Sequence, residues 1–137
     1  MKYLTDSKIL VTGLLIALVS LGCGSDPAPT SLSSFQPEII NAQDSFQFQA
    51  TGLTGVTTTV TYTWDNTGTQ ATVNHSSAIT AGTTLMELLD DSGVMVYSDS
   101  LKASANEPTA AGVAGTWTVR VTLTGVRGTL NFRAEAL

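Results

Sequence analysis

The feature that most constrains this chain is a two-residue alternation that recurs along most of its length. Over 56–64, Val56, Thr58, Val60, Tyr62 and Trp64 fall on one side, and Thr57, Thr59, Thr61 and Thr63 on the other. Successive side chains of an extended chain point to opposite faces, so this pattern builds a strand with one face to bury. Over 44–50 the same rule sets Phe46, Phe48 and Ala50 against Ser45, Gln47 and Gln49. Over 116–124 it sets Trp117, Val119, Val121 and Leu123 against Thr116, Thr118, Arg120, Thr122 and Thr124. Further strands are expected at 70–75, 84–89, 93–98 and 129–135, and helical spacing is confined to an ambiguous patch at 85–89.

Turn chemistry divides these runs. Asn66-Thr67-Gly68-Thr69 predicts a hairpin joining 56–64 to 70–75, and Asp90-Asp91-Ser92 joins 84–89 to 93–98. Gly125-Val126-Arg127-Gly128 predicts a tight turn that closes a final hairpin. The stretch 102–115, with Asn106-Glu107-Pro108 inside it, lacks alternation and reads as a long crossover loop. Seven or eight short strands, each with one apolar face, need a second sheet to cover them. The expectation is an all-β, two-sheet β-sandwich of jelly-roll or Greek-key type over 35–137, as one domain.

The N-terminus has a different character. Lys2 and Lys8 precede an apolar run of 13 residues over 9–21. That run matches the core of an export signal and is too short for a helix crossing a bilayer core of about 30 Å. It ends Val19-Ser20-Leu21-Gly22-Cys23, and Cys23 is the only cysteine. This segment resembles a lipobox, with Ser20 and Leu21 where the family usually has a large aliphatic and a small residue. The resemblance implies cleavage after residue 22 and lipidation of Cys23 through its thioether and amine, which suffices for stable anchoring. Ser20-Leu21-Gly22 also fits the small-x-small pattern of ordinary signal peptidase, which would release a secreted protein. A lone thiol in an oxidising compartment has no disulfide partner, and this favours the lipidated reading. Residues 23–34, rich in Gly, Ser, Pro and Thr, then read as a flexible tether. The absence of Asp directly after Cys23 resembles the outer-membrane sorting choice, should the host have two membranes.

From Cys23 onward four basic residues stand against ten acidic ones, a formal charge of −6. A nucleic-acid partner calls for a basic stripe that this composition lacks. The same acidity disfavours adhesion to anionic lipid, so attachment to the membrane is expected through the covalent anchor.

Few residues suggest chemistry. His75 is the only histidine, and with no nucleophile elbow, His-Glu-x-x-His helix or cysteine pair around it, it reads as a polar residue at a strand end. Asn74-His75-Ser76 has the form of a glycosylation sequon. Asp90 and Asp91 are weak calcium candidates, against plain turn chemistry. Trp64 and Trp117 belong to apolar faces and are expected in the core. In the predicted final hairpin, pairing Thr124 with Thr129 would oppose Arg120 and Arg133, a forked site for a carboxylate, sulfate or glycan acid. Solvated arginines, or an internal acidic partner such as Glu135, are the alternative.

Asp44-Ser45-Phe46-Gln47-Phe48, then Leu88-Leu89-Asp90-Asp91-Ser92-Gly93, then Ala114-Gly115-Thr116-Trp117-Thr118-Val119-Arg120-Val121 resemble bacterial pre-peptidase C-terminal domains. More loosely they are similar to the P domains of proprotein convertases. Both are β-sandwich accessory modules, so the resemblance implies an extracellular accessory or binding role. No peptidase accompanies the segment, and no string matches the calcium ligands of such relatives. The expectation is a lipid-anchored, non-enzymatic envelope module that binds an unknown protein or glycan and needs no cofactor. The alternatives are an assembly component of an envelope complex or, further off, an enzyme with an unfamiliar carboxylate site.

Overall fold

The computed structural model describes residues 31–137; the expected export signal, Cys23 and most of the expected tether lie outside them. A 3-10 turn η1 (Leu32–Phe35) leads into seven strands. They are β1 (Glu38–Ala42), β2 (Ser45–Asn66), β3 (Ala71–His75), β4 (Ala78–Leu89), β5 (Met95–Asp99), β6 (Ala105–Pro108) and β7 (Gly115–Ala136). The expected all-β sandwich is present. Leu32, inside the segment read as tether, is buried, so the core begins before residue 35.

The two layers are halves of one folded sheet. β2 and β7 each run for 22 residues and pair antiparallel with one another along their length. At about 3.3 Å per residue such a strand would reach roughly 70 Å if straight. Yet the two ends of β2 meet: the Asp44 N–H donates to the Asp65 carbonyl at 2.8 Å, and Trp64 Nε1 donates to the Ala42 carbonyl at 3.1 Å. The strand therefore doubles back. The fold line is marked by register shifts between Ala50 and Thr58 in β2 and between Ile79 and Thr83 in β4. β-Bulges of this kind bend a strand and sharpen its twist. Gly82, at φ 85°, lies here so close to the backbone of Thr124 and Gly125 that a Cβ would sit 2.6 Å from their carbonyl oxygens.

On one side of the fold line a five-stranded layer follows the order β1-β2-β7-β3-β6. On the other, β4 pairs with the first half of β7 and with β5, giving a four-stranded layer with the second half of β2. The inward positions fill the space between them. Phe46, Phe48 and Phe132 from the five-stranded layer stack, with Phe48 and Phe132 5.1 Å apart and nearly parallel. Tyr62, from the opposite layer, lies 5.5 Å from Phe46. Trp64 and Trp117 meet edge to face at 5.9 Å, a geometry aromatic quadrupoles favour. Both tryptophans are core residues, as expected.

Three sequence expectations give way to this arrangement. The turn at 125–128 is absent: β7 continues through it, because Gly125 and Gly128 adopt positive φ and let the strand bend without reversing. The 66–69 turn exists, but β2 and β3 form no hairpin; β3 crosses to the far side of β7 and pairs with β7 and β6. The 102–115 crossover contains β6, which closes the edge of the five-stranded layer. The expected pairing of 84–89 with 93–98 is present as β4 and β5.

Candidate functional site

Doubling β2 and β7 back on themselves gathers the connecting loops at the end opposite the fold line. The β1–β2 turn, the end of β2, the β4–β5 turn, the β6–β7 loop and the start of β7 all meet there. They border a wide, open cleft of about 390 Å³ lined by Gln43, Asp65, Asn66, Thr67, Ala114, Gly115 and Thr116. A second hollow of about 220 Å³, lined by Asn41, Ala42, Gln43, Thr63 and Asp65, shares the Gln43 and Asp65 walls. The larger volume falls within the range of small-molecule sites, roughly 300–1,000 Å³.

Local hydrogen bonds fix the walls. The Thr67 N–H and hydroxyl donate to Asp44 at 2.7 and 2.9 Å, and the Thr116 N–H and hydroxyl donate to Asp91 and Asp65 at 2.9 and 3.2 Å. The buried Asn66 carboxamide accepts from the Gly68 N–H and donates to the Gln70 carbonyl, which pins the β2–β3 turn. Gly115, at φ 140°, has to be glycine because a Cβ would press on the Asp91 carboxylate. Asp44, Asp65, Asp90 and Asp91 all lie at this end, while Arg127 sits on the fold line at the other. Of these carboxylates only Asp65 lines the cleft, and its second oxygen, with the Thr67 and Thr116 hydroxyl oxygens, can accept from a ligand that presents hydroxyl or amine donors.

Asp90 and Asp91 occupy the β4–β5 turn in different roles. The buried Asp90 carboxylate accepts from the Ser92 hydroxyl at 2.7 Å and from the Val113, Val94 and Ser92 N–H groups at 2.8, 2.9 and 3.0 Å. The Ser92 hydroxyl above all, and then those N–H groups, hold it below the usual carboxylate range. Donors aimed at both oxygens make Asp90 a clasp between the β4–β5 and β6–β7 loops. A cation would have to displace them. Asp91 is exposed and accepts from Thr116 alone. Among the described residues no three His, Cys, Asp or Glu side chains converge as a metal cage.

The opposed pair of arginines is not formed. It depended on the 125–128 turn; with β7 continuous, Arg120 and Arg133 lie on opposite layers of the sandwich. Arg120 stands beside Glu87 of β4, with its Nε donating to the carboxylate at 2.7 Å, and this hydrogen bond holds the Glu87 pKa low. Arg133 faces outward between Gln47 and Asn74, with Glu135 3.7 Å away.

His75 ends β3, and it is buried. Its Nε2 lies 3.2 Å from the Tyr97 hydroxyl and 3.6 Å from Asp99, joining β3 of one layer to β5 of the other. Burial first, and then Asp99 and Glu107, push the Tyr97 phenol up to about 12. Nδ1 of His75 is buried without a partner, so the tautomer protonated on Nε2 leaves only an acceptor unsatisfied, the cheaper of the two choices. The signal was in the sequence: Ala71, Val73 and His75 share one parity, and the first two are plainly core. The partner Tyr97 had no such signal, because Val96 and Tyr97 are both buried and break the alternation. The acceptor-lined loop-end cleft was also missed, since its walls come from segments far apart in sequence.

No protein-family model matches the chain, and no curated protein matches it.

Proposed function

We propose that this protein is a lipid-anchored, non-enzymatic binding module of the bacterial envelope, held by Cys23 and presenting its loop-end cleft away from the membrane. The observation that carries this reading is the polarity of the fold. β1 runs from Glu38, opposite Gln49 beside the fold line, to Ala42, opposite Ser45 at the loop end. β1 thus starts at the end remote from the cleft. An anchor 15 residues upstream of β1 leaves the fold line free to lie toward the bilayer with Asp65, Thr67 and Thr116 facing outward. Among the described residues the cleft walls present the Gln43 amide, the Thr67 and Thr116 hydroxyl oxygens and the Asp65 carboxylate, with no nucleophile paired to a base, which suits recognition rather than turnover. Within a two-membrane host the outer membrane is the expected location, and sandwich modules of the pre-peptidase C-terminal kind are the expected analogues.

The reading is tested by crosslinking in native envelopes. With Cys23 acylated, Thr67→Cys in the cleft wall or Thr54→Cys on the fold line would carry the only free thiol, to which a short photocrosslinker is attached. Adducts with an envelope component from Thr67→Cys and not from Thr54→Cys are expected. Equal adducts from both positions, or release of the protein into the soluble fraction, would contradict the proposal.

A further inference from the structure

The outward face of the five-stranded layer has a composition unlike the rest of the surface. Cross-strand register places Ile40, Gln47, Arg133, Asn74 and Asn106 in one row, with Glu38, Gln49 and Asn131 in the next. Five of the chain's ten Asn and Gln residues lie on this face. Of the other five, Asn41, Asn66 and Gln70 spend their carboxamides on backbone carbonyls and turns, while Gln36 and Gln43 stand singly in loops. Among the described residues the side chains of Gln47, Gln49, Asn74, Asn106 and Asn131 form no intramolecular hydrogen bond. The outward face of the four-stranded layer differs: Thr59 and Thr122 bond each other at 3.2 Å, and Arg120 is occupied by Glu87.

The amides surround a shallow groove of about 70 Å³, walled by Glu38, Ile40, Gln47, Gln49 and Asn131 over the Phe48 strand position. Ile40 is 57% exposed and gives that groove one apolar wall. Neighbouring strands lie about 4.8 Å apart, so the row from Ile40 to Asn106 extends for roughly 19 Å across the sheet. A carboxamide carries donors and an acceptor together, as does a sugar hydroxyl. A row of such groups, beside an aliphatic wall for C–H contact, complements a hydroxyl-rich chain. Charge argues the same way. One arginine between Glu38 and Glu135 neither gathers a polyanion nor attracts a polycation.

We propose that this amide face binds a polysaccharide strand, with Gln47, Gln49 and Asn131 hydrogen-bonding sugar hydroxyls and Ile40 packing against a ring face. The inference concerns a different surface from the loop-end cleft, and either stands if the other fails. The full mature chain is incubated with insoluble peptidoglycan sacculi, cellulose and chitin, and the bound fraction is measured against protein concentration. Retention on at least one of the three is expected. The triple variant Gln47→Ala, Gln49→Ala, Asn131→Ala is expected to weaken that retention more than tenfold, at a few-fold per lost hydrogen bond. Because these side chains hold nothing inside the fold, the triple variant should melt within about 6 °C of the parent chain. The control Thr61→Ala, on the opposite layer, should bind as the parent does. No retention on any of the three, retention unchanged in the triple variant, or retention lost instead through Asp65→Ala in the cleft would overturn the proposal.

Discussion

If the sandwich is one sheet folded along a line of close backbone contacts, glycines on that line should differ sharply in their tolerance of a methyl group. Gly55 and Gly82 make the comparison clean. Both hold positive φ, 69° and 85°, so alanine at either pays the left-handed penalty of about 1–2 kcal/mol. Part of this is offset by about 0.4–1 kcal/mol, because alanine narrows the unfolded ensemble. A Cβ on Gly55 meets nothing within 4 Å, so Gly55→Ala should cost about 1 kcal/mol in all. A Cβ on Gly82 would lie 2.6 Å from the Gly125 and Thr124 carbonyl oxygens, and backbone cannot swing aside as a side chain can. Overpacking of this kind adds about 1–3 kcal/mol, which brings Gly82→Ala to roughly 2–4 kcal/mol. At about 4–8 °C per kcal/mol for a domain of this size, Gly82→Ala should lower Tm by roughly 8–32 °C and Gly55→Ala by less than about 8 °C. Thermal melts followed by fluorescence of the buried Trp64–Trp117 pair measure both. Equal losses from the two variants would refute the folded-sheet account of the contact.

Other consequences are as direct. Tyr97→Phe leaves Nε2 of His75 without its hydroxyl partner between the layers and should cost about 1–3 kcal/mol in urea denaturation. In spectrophotometric titration Tyr97 should ionise near pH 12, well above the ordinary phenol value. Folding favours the neutral phenol, so its contribution is complete below about pH 10 and fades as pH rises through the folded-state value. The carboxylates of Glu87 and Asp90 shift the other way: their contribution is present above about pH 4 and is lost as pH falls through their lowered folded-state values. Asp90→Asn should therefore flatten the acid limb of the stability curve and loosen the 90–94 and 109–114 loops in hydrogen exchange.

Much of the fold was legible because alternation is a local signal. Phe46, Phe48, Trp64, Trp117, Val119 and Val121 could be assigned to the core from parity alone, and each is buried. Connectivity was less legible. Gly125-Val126-Arg127-Gly128 has the composition of a hairpin turn, yet glycines at positive φ serve a bend as well as a reversal. What decides between them is the partner strand: β2 and β4 run alongside both halves of β7, and they contribute nothing to the local sequence of the turn. The misplaced Arg120–Arg133 pair followed from that single ambiguity. Register is strongly fixed once a face is buried, but which strand lies alongside is decided by the whole sheet. Likewise, Asp65 and Thr116 are 51 positions apart and meet only because β2 and β7 pair through to Asn66 and Gly115, so the cleft has no sequence motif.

The claim on which the proposed role depends is attachment through Cys23, and intact mass of the protein isolated from native membranes tests it most directly. The account predicts a chain beginning at Cys23 and heavier by two or three acyl groups. An unmodified chain beginning at or after Cys23 would contradict it and make the protein a secreted sandwich.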